Sequence, residues 1–180
     1  MVDPDLLVPA CIEAIAETDS RGAIRDVLRR AVADGKVADS LQRQTSGLNV
    51  LYNSAELTVL NVVWPPLMSL FPHDHRMWAA IAIYGGREDN AFYRRADTGI
   101  VESGGKQLSE GDVLLLGDDT IHSVLNPARA YTGAIHVYGG DFIGTARSQW
   151  DAETFAEQPW DLEEVQREFK RAEEAFAGSE

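Results

Sequence analysis

Residues 111–126 read GDVLLLGDDTIHSVLN. Gly111 opens the stretch and five residues lead to Gly117. Asp118 and Asp119 follow, then His122 after two more residues and Asn126 after a further three. An apolar run closed by Gly-Asp-Asp reads as a short strand ending in a turn. The chain has four histidines in all, and one of them stands just beyond that turn. Histidine is the commonest metal ligand and the usual proton carrier near neutral pH, so the company it keeps decides how the segment is read.

Upstream, residues 72–86 read PHDHRMWAAIAIYGG, with His73 and His75 one residue apart. On a β-strand, residues i and i+2 share a face. The spacing therefore sends both imidazoles inward and Asp74 outward, where two nitrogens can take adjacent positions on one metal ion. Downstream, residues 134–138 read AIHVY, and the same rule puts Ala134, His136 and Tyr138 on one face. All four histidines fall between residues 73 and 136.

The segments around them are β-rich. Residues 49–64, 77–86, 90–99, 99–118 and 130–140 are short runs of branched and aromatic residues punctuated by Gly, Pro, Asn and Asp. That rhythm belongs to an antiparallel sandwich or barrel. Residues 3–44 carry helical spacing instead, with Pro4 in a first turn, Ser20 as an N-cap and Gly35 as a C-cap. After Gly144 the helical pattern returns, with Asp161 as the N-cap of Leu162–Ala177. The expected organisation is one domain over residues 1–180. A helical extension (1–44) precedes a β-barrel (48–145) and a C-terminal helical segment (151–178). No repeat, low-complexity tract or linker divides it.

A formal net charge of −13 argues against nucleic acid or an anionic membrane as partner, because neither is met by a broad basic surface. No stretch approaches the ~18 apolar residues of a membrane span, and the acidic N-terminus does not read as a signal peptide. The lone Cys11 excludes an internal disulfide and fits a reducing, cytoplasmic setting. No serine or cysteine nucleophile motif is present. YGGREDN (84–90) reads as a turn, and Trp64, Met77 and Trp78 as core residues that a pocket could also use.

The stretch 111–126 resembles the second motif of the cupin superfamily, G-x5-P-x-G-x2-H-x3-N. Gly111, His122 and Asn126 match it, with Gly117 where proline is usual and Asp119 where glycine is usual. The first cupin motif is H-x-H, an acid four or five residues on, then a glycine. His73, His75 and Gly85 or Gly86 meet it, but Ala79 and Ala80 occupy the acid's candidate places. The resemblance spans about half of the 180 residues. It implies a mainly β fold, the cupin double-stranded β-helix or jelly-roll barrel, here with N-terminal helices and a C-terminal helix.

A cupin site with three histidines and no acid is similar to that of the thiol dioxygenases, the cysteine dioxygenase family. H-D-H is that family's form of the first motif, and LTVLNVVWPP (57–66) resembles its apolar strand ending in tryptophan. The family's S-x-H-x-Y element follows the last ligand by about fourteen residues, the spacing of His136 from His122, with Ala134 replacing the serine. The resemblance implies an Fe(II) site at His73, His75 and His122, with His136 and Tyr138 as its catalytic hydrogen-bonding pair. It also implies a small thiol and O2 as substrates and a sulfinate as product. Three neutral imidazoles leave the ion its full charge and open positions for an anion and dioxygen.

Two departures stand out. No cysteine is placed to crosslink to Tyr138, and LYNSAEL (51–57) lacks the family's carboxylate-binding arginine, for which Arg43, Arg94 and Arg95 are the alternatives. The substrate-binding residues and the oligomeric state are unassigned by sequence. Two other functions stay open: an isomerase or lyase using Ni, Mn or Zn as a Lewis acid, and a non-catalytic cupin that binds a small molecule.

Overall fold

The computed structural model describes residues 6–33, 35–41 and 45–178; Pro4 and Arg43 lie outside the described residues. Three helices, α1 (Leu7–Ile15), α2 (Ser20–Val32) and α3 (Gly35–Leu41), precede the strands. Nine strands follow: β1 (Gly47–Asn53), β2 (Thr58–Trp64), β3 (Ser69–Asp74), β4 (Ala79–Gly85), β5 (Arg87–Arg95), β6 (Ile100–Ser109), β7 (Val113–Leu116), β8 (Ile121–Leu125) and β9 (Thr132–Tyr138). A small hairpin, β10 (Ser148–Trp150) and β11 (Glu157–Pro159), leads into α4 (Leu162–Ala177).

The strands form two antiparallel sheets, ordered β1-β2-β9-β4-β7 and β11-β10-β3-β8-β5-β6. Two such sheets facing each other over one apolar interior make the double-stranded β-helix expected from the sequence. No helix among the described residues is long and apolar enough to cross a membrane.

The central strands of the first sheet, β2, β9 and β4, are buried on both faces. In β4, Ala79, Ile81 and Ile83 point into the barrel, while Ala80, Ala82 and Tyr84 pack against Ile24, Val27 and Leu28 of α2. In β9, Ala134 and Tyr138 face inward, and Ile135 and Val137 face the helices. This explains why the runs 57–64, with Thr58 and Asn61 as its hydrogen-bonded exceptions, and 79–84 are apolar instead of alternating: neither face meets water.

Several local expectations change. Asp19, not Ser20, caps α2, its carboxylate accepting the Gly22 N–H at 3.0 Å, and Ser20 is the first helical residue. That helix ends at Val32 with Ala33 as its cap, and Gly35 opens α3. The run 99–118 is two strands broken at Gly111, whose φ of 89° is left-handed backbone open to glycine. The C-terminal segment is not helical from 151. Residues 148–159 add the β10–β11 hairpin to the edge of β3, with Gln149 opposite His73. Its three-residue strands are too short to show a period. Asp161 does cap α4, accepting from the Glu163 and Glu164 N–H groups.

The motif asparagine has a structural task. Asn126 is fully buried, and its Nδ2 donates to the Pro65 and Ala130 carbonyls at 2.9 Å each. Its Oδ1 accepts from Ala128 N–H and the Thr132 hydroxyl, both at 3.1 Å. Replacing it strands buried backbone polar groups. Asn126→Ala should lower stability by about 3 kcal/mol in urea unfolding while leaving metal content per folded molecule unchanged.

Candidate metal centre

The β3–β8 ladder sets His73 directly opposite His122. His75 lies one residue beyond β3, where the chain turns through Arg76 at φ 57°. It reaches the same place: the ring centroids are 5.1 Å (His73–His75), 4.6 Å (His73–His122) and 4.9 Å (His75–His122) apart. One ligand nitrogen from each lies within 4.8 Å of the others, and all three side chains are buried. Asp74 turns away, accepting the Ser148 N–H at 2.8 Å and pairing with Arg76 Nε at 2.7 Å.

Hydrogen bonds settle how two of the imidazoles face. His73 Nδ1 lies 3.0 Å from the Phe71 carbonyl, so it carries the proton and leaves Nε2 as a lone pair. His122 Nδ1 likewise donates to Asn90 Oδ1 at 2.7 Å. His122 Nε2 and His75 Nε2 then face each other at 3.2 Å, and His75 Nδ1 is buried with no partner. Nitrogens bonded to one ion at roughly 2.1 Å stand roughly 3 Å apart at ordinary coordination angles. The three-imidazole donor set and the 3.2 Å approach of two of its nitrogens fit a transition metal. Burial lowers the His73 pKa to about 4, and burial with neighbouring histidine charge puts His75 and His122 well below the ordinary value. All three are thus in the neutral, ligating form at pH 7.

A second layer of polar groups surrounds them. His136 Nδ1 is 3.1 Å from the Tyr138 hydroxyl. On its other side, His136 Nε2 is 3.4 Å from Glu88 Oε2, an ion-pair separation without hydrogen-bond alignment. Glu88 is fully buried and accepts from Trp64 Nε1 at 2.8 Å and from Asn90 Nδ2 at 3.0 Å. Burial alone would raise its carboxyl; the His136 ring and these two donors outweigh it and hold it below the usual value. Asn90 joins the two layers, since its Oδ1 holds His122. Burial pushes the Tyr138 phenol upward, so it keeps its proton at neutral pH.

The space between these groups is small. A cavity lined by Trp64, His73, His122, His136, Tyr138 and Phe142 has a free volume of about 10 Å3, room for about one water. Larger hollows, of about 740 and 670 Å3, open on the surface, and none of the three converging histidines lines either.

The structure therefore brings His73, His75, His122, His136 and Tyr138 together. Ala79 lies opposite Tyr138 in the β4–β9 ladder and Ala134 is buried on the inner face, while Cys11 packs in the helical layer. Arg95 is bound to Glu157 at 2.6 and 3.0 Å and Arg94 is exposed, so neither lines the cavity. Trp64 does line it, Met77 packs inside the barrel, and Trp78 faces the helices. Sequence reading missed Glu88 and Asn90 by taking 84–90 as a turn. Their i, i+2 spacing on β5 is the signal that was available. It also missed Arg147, which is buried with its guanidinium carbon 4.0 Å from the Phe142 ring centre and 4.1 Å from that of Trp160.

No protein-family model and no curated protein matches the chain. Solved structures do. A protein of Bacillus halodurans superposes with a TM-score of 0.52 at 15% identity, over 58% of this chain and 77% of that one. An RmlC-like cupin family protein with a double-stranded β-helix fold from Methanocaldococcus jannaschii gives 0.45 at 13%, over 54% and 83%. A cupin superfamily protein from Desulfitobacterium hafniense gives 0.44 at 13%, over 54% and 80%. At these identities the likeness concerns the fold and carries no chemistry.

Alanine at His73, His75 or His122 should cut metal occupancy by roughly tenfold or more, whereas His136→Ala should leave it largely intact. Metal analysis of the purified variants decides this. A second consequence concerns pH. The unfolded chain protonates these histidines near 6.5 and the folded chain only far lower, so the unfolded state binds more protons in between. Stability of the metal-free protein should fall as pH drops from 6.5 to 5, by up to about 1.4 kcal/mol per pH unit for each histidine held neutral. Urea unfolding at pH 7, 6 and 5 measures it; a flat profile contradicts the assignment.

Proposed function

We propose that the protein is a metal-dependent cupin that oxidises a small, carboxylate-bearing thiol to its sulfinate, RS− + O2 → RSO2−. The observation that carries this reading is the convergence of three neutral imidazoles with no carboxylate among them. His73, His75 and His122 would hold Fe(II), which supplies dioxygen activation and an anchor for a thiolate; nitrogen ligation also suits Ni, Mn or Zn.

The residues around the site have separable tasks. Asn90 and the Phe71 carbonyl fix the ligand tautomers. Glu88 orients His136, and His136 holds the Tyr138 hydroxyl. When His136 carries both protons, Nε2–H faces Glu88 and Nδ1–H donates to Tyr138, which frees the phenol proton for a group in the cavity. Phe142, Trp160 and Trp64 exclude water, so that hydrogen bond acts at low dielectric.

Arg147 supports the carboxylate. Its Nη1 donates to the Phe142 and Thr145 carbonyls, its Nε has no partner, and no carboxylate pairs with it among the described residues. Burial lowers its pKa to about 10, so it remains charged at pH 7. A buried cation without a counter-ion, one ring's thickness from the cavity, favours an anionic substrate.

Iron-loaded protein should therefore consume oxygen with cysteine or 3-mercaptopropionate faster than with cysteamine, and mass spectrometry should find the sulfinate. Tyr138→Phe should lower turnover on the order of 10–100-fold with iron retained. Arg147→Met should erase the preference for carboxylate-bearing thiols. Good iron occupancy with no oxygen uptake from any of the three thiols would turn the reading to the Lewis-acid isomerase or lyase, or to a binding protein.

A further inference from the structure

The metal cavity is too small for any thiol, yet a groove of about 670 Å3 runs beside it between β1 and α4. Two side chains line both spaces, Leu48 of β1 and Phe142. The groove is mainly apolar, its mouth marked by the half-exposed Val50 and Ile143 and by Leu162. We propose that this groove is the approach to the metal centre and that the Phe142 ring is its gate, turning out of the doorway it shares with Leu48. The inference rests on the metal-centre reading and adds the route by which a ligand arrives.

The surroundings of Phe142 say what can move. Its backbone is tied on both sides: the N–H donates to the Thr58 hydroxyl at 3.0 Å, and the carbonyl accepts from Arg147. The main chain is thus held, and rotation of the ring is the available motion. The ring lies 4.2 Å from that of Tyr138, 6.1 Å from that of His75, and 4.0 Å from the Arg147 guanidinium carbon. Swinging it towards the groove would join the two spaces. The same rotation would open Tyr138, which lines the cavity, to the groove and would uncover Arg147, which the Phe142 ring separates from the cavity. The groove has volume to receive the ring, and its Val165 and Phe169 side chains are an apolar surface for it to rest on. Admission and exposure of the anion-attracting charge are then a single event. An empty site stays dry, and a ligand that enters meets the cation.

The test needs neither metal nor oxygen. Metal-free protein is treated with diethyl pyrocarbonate, and carbethoxylation of His73, His75 and His122 is followed site by site by mass spectrometry. Phe142→Ala should speed their modification on the order of tenfold, and Phe142→Leu should do so less. Leu48→Trp, which fills the doorway from the groove side, should slow it. Val27→Ala, a truncation in the helical layer, controls for lost stability and should leave the rates near wild type. Tyr131→Trp, in the neighbouring 740 Å3 hollow that shares Ser46 and Glu173 with the groove but neither Leu48 nor Phe142, should do the same. Equal rates in wild type, Phe142→Leu and Leu48→Trp would overturn the gate, as would slowing by Tyr131→Trp equal to that by Leu48→Trp. If the gate behaves as stated but no thiol drives oxygen uptake, the dioxygenase reading fails alone. If uptake occurs and the modification rates are unmoved, the gate fails alone.

Discussion

The chemistry of this molecule depends on keeping three imidazoles neutral in one small space. Each would be protonated in part in water below pH 7, and three adjacent charges in a barrel interior could not be tolerated. Burial removes the protons, and the β3–β8 register brings two of the rings to 4.6 Å. The Phe71 carbonyl and Asn90 hold the remaining N–H groups outward, so the lone pairs point together. The price is a cluster of lone pairs that converge on one point. A divalent cation relieves that cost, so metal binding and burial support one another.

The charge balance around the cluster follows the same logic. Glu88 is a carboxylate held inside the barrel, yet Trp64 and Asn90 occupy it and keep it out of the ligand set. Its charge would offset part of what a metal brings, and its nearest basic neighbour is His136, 3.4 Å away. Arg147 is the opposite case, a guanidinium supported by two carbonyls and two ring faces, with no carboxylate in ion-pair contact among the described residues and only the more distant charge of Asp74. Cation–π contacts of this kind offset only part of the desolvation of a buried charge. The polar interior is therefore arranged with one positive group in reserve.

Much of this was legible in the sequence. The i, i+2 histidines, the Gly111–Asn126 spacing and AIHVY pointed to the five residues that meet in the barrel, because β-strand periodicity is short-range and needs no knowledge of pairing. Glu88 and Asn90 obey the same periodicity. They were passed over because a charged residue beside Gly-Gly reads as solvent-facing until the strand that buries it is known. Arg147 could not be found this way at all. It sits in an irregular segment after β9, and only the tertiary placement of Phe142 and Trp160 makes it internal. The β10–β11 hairpin escaped notice for want of length, and the α2 caps shifted because Asp19 reaches the Gly22 N–H from just outside the helix.

The burial of β2, β9 and β4 on both faces has a bearing on how the molecule comes apart. β9 lies between β2 and β4, with helices on one side and the barrel interior on the other, so its amides are shielded in every direction. The strand that carries His136 and Tyr138 is thus placed among the last segments to open to solvent exchange. His75 lies past the end of its strand at a left-handed turn, beside a hairpin whose strands are three residues long. Breathing of the native state would release that corner first. In a metal-depleted cell the ligand set would loosen while the tyrosine and its histidine stayed folded. Reloading the ion would then be a local repair, with no need to refold the barrel.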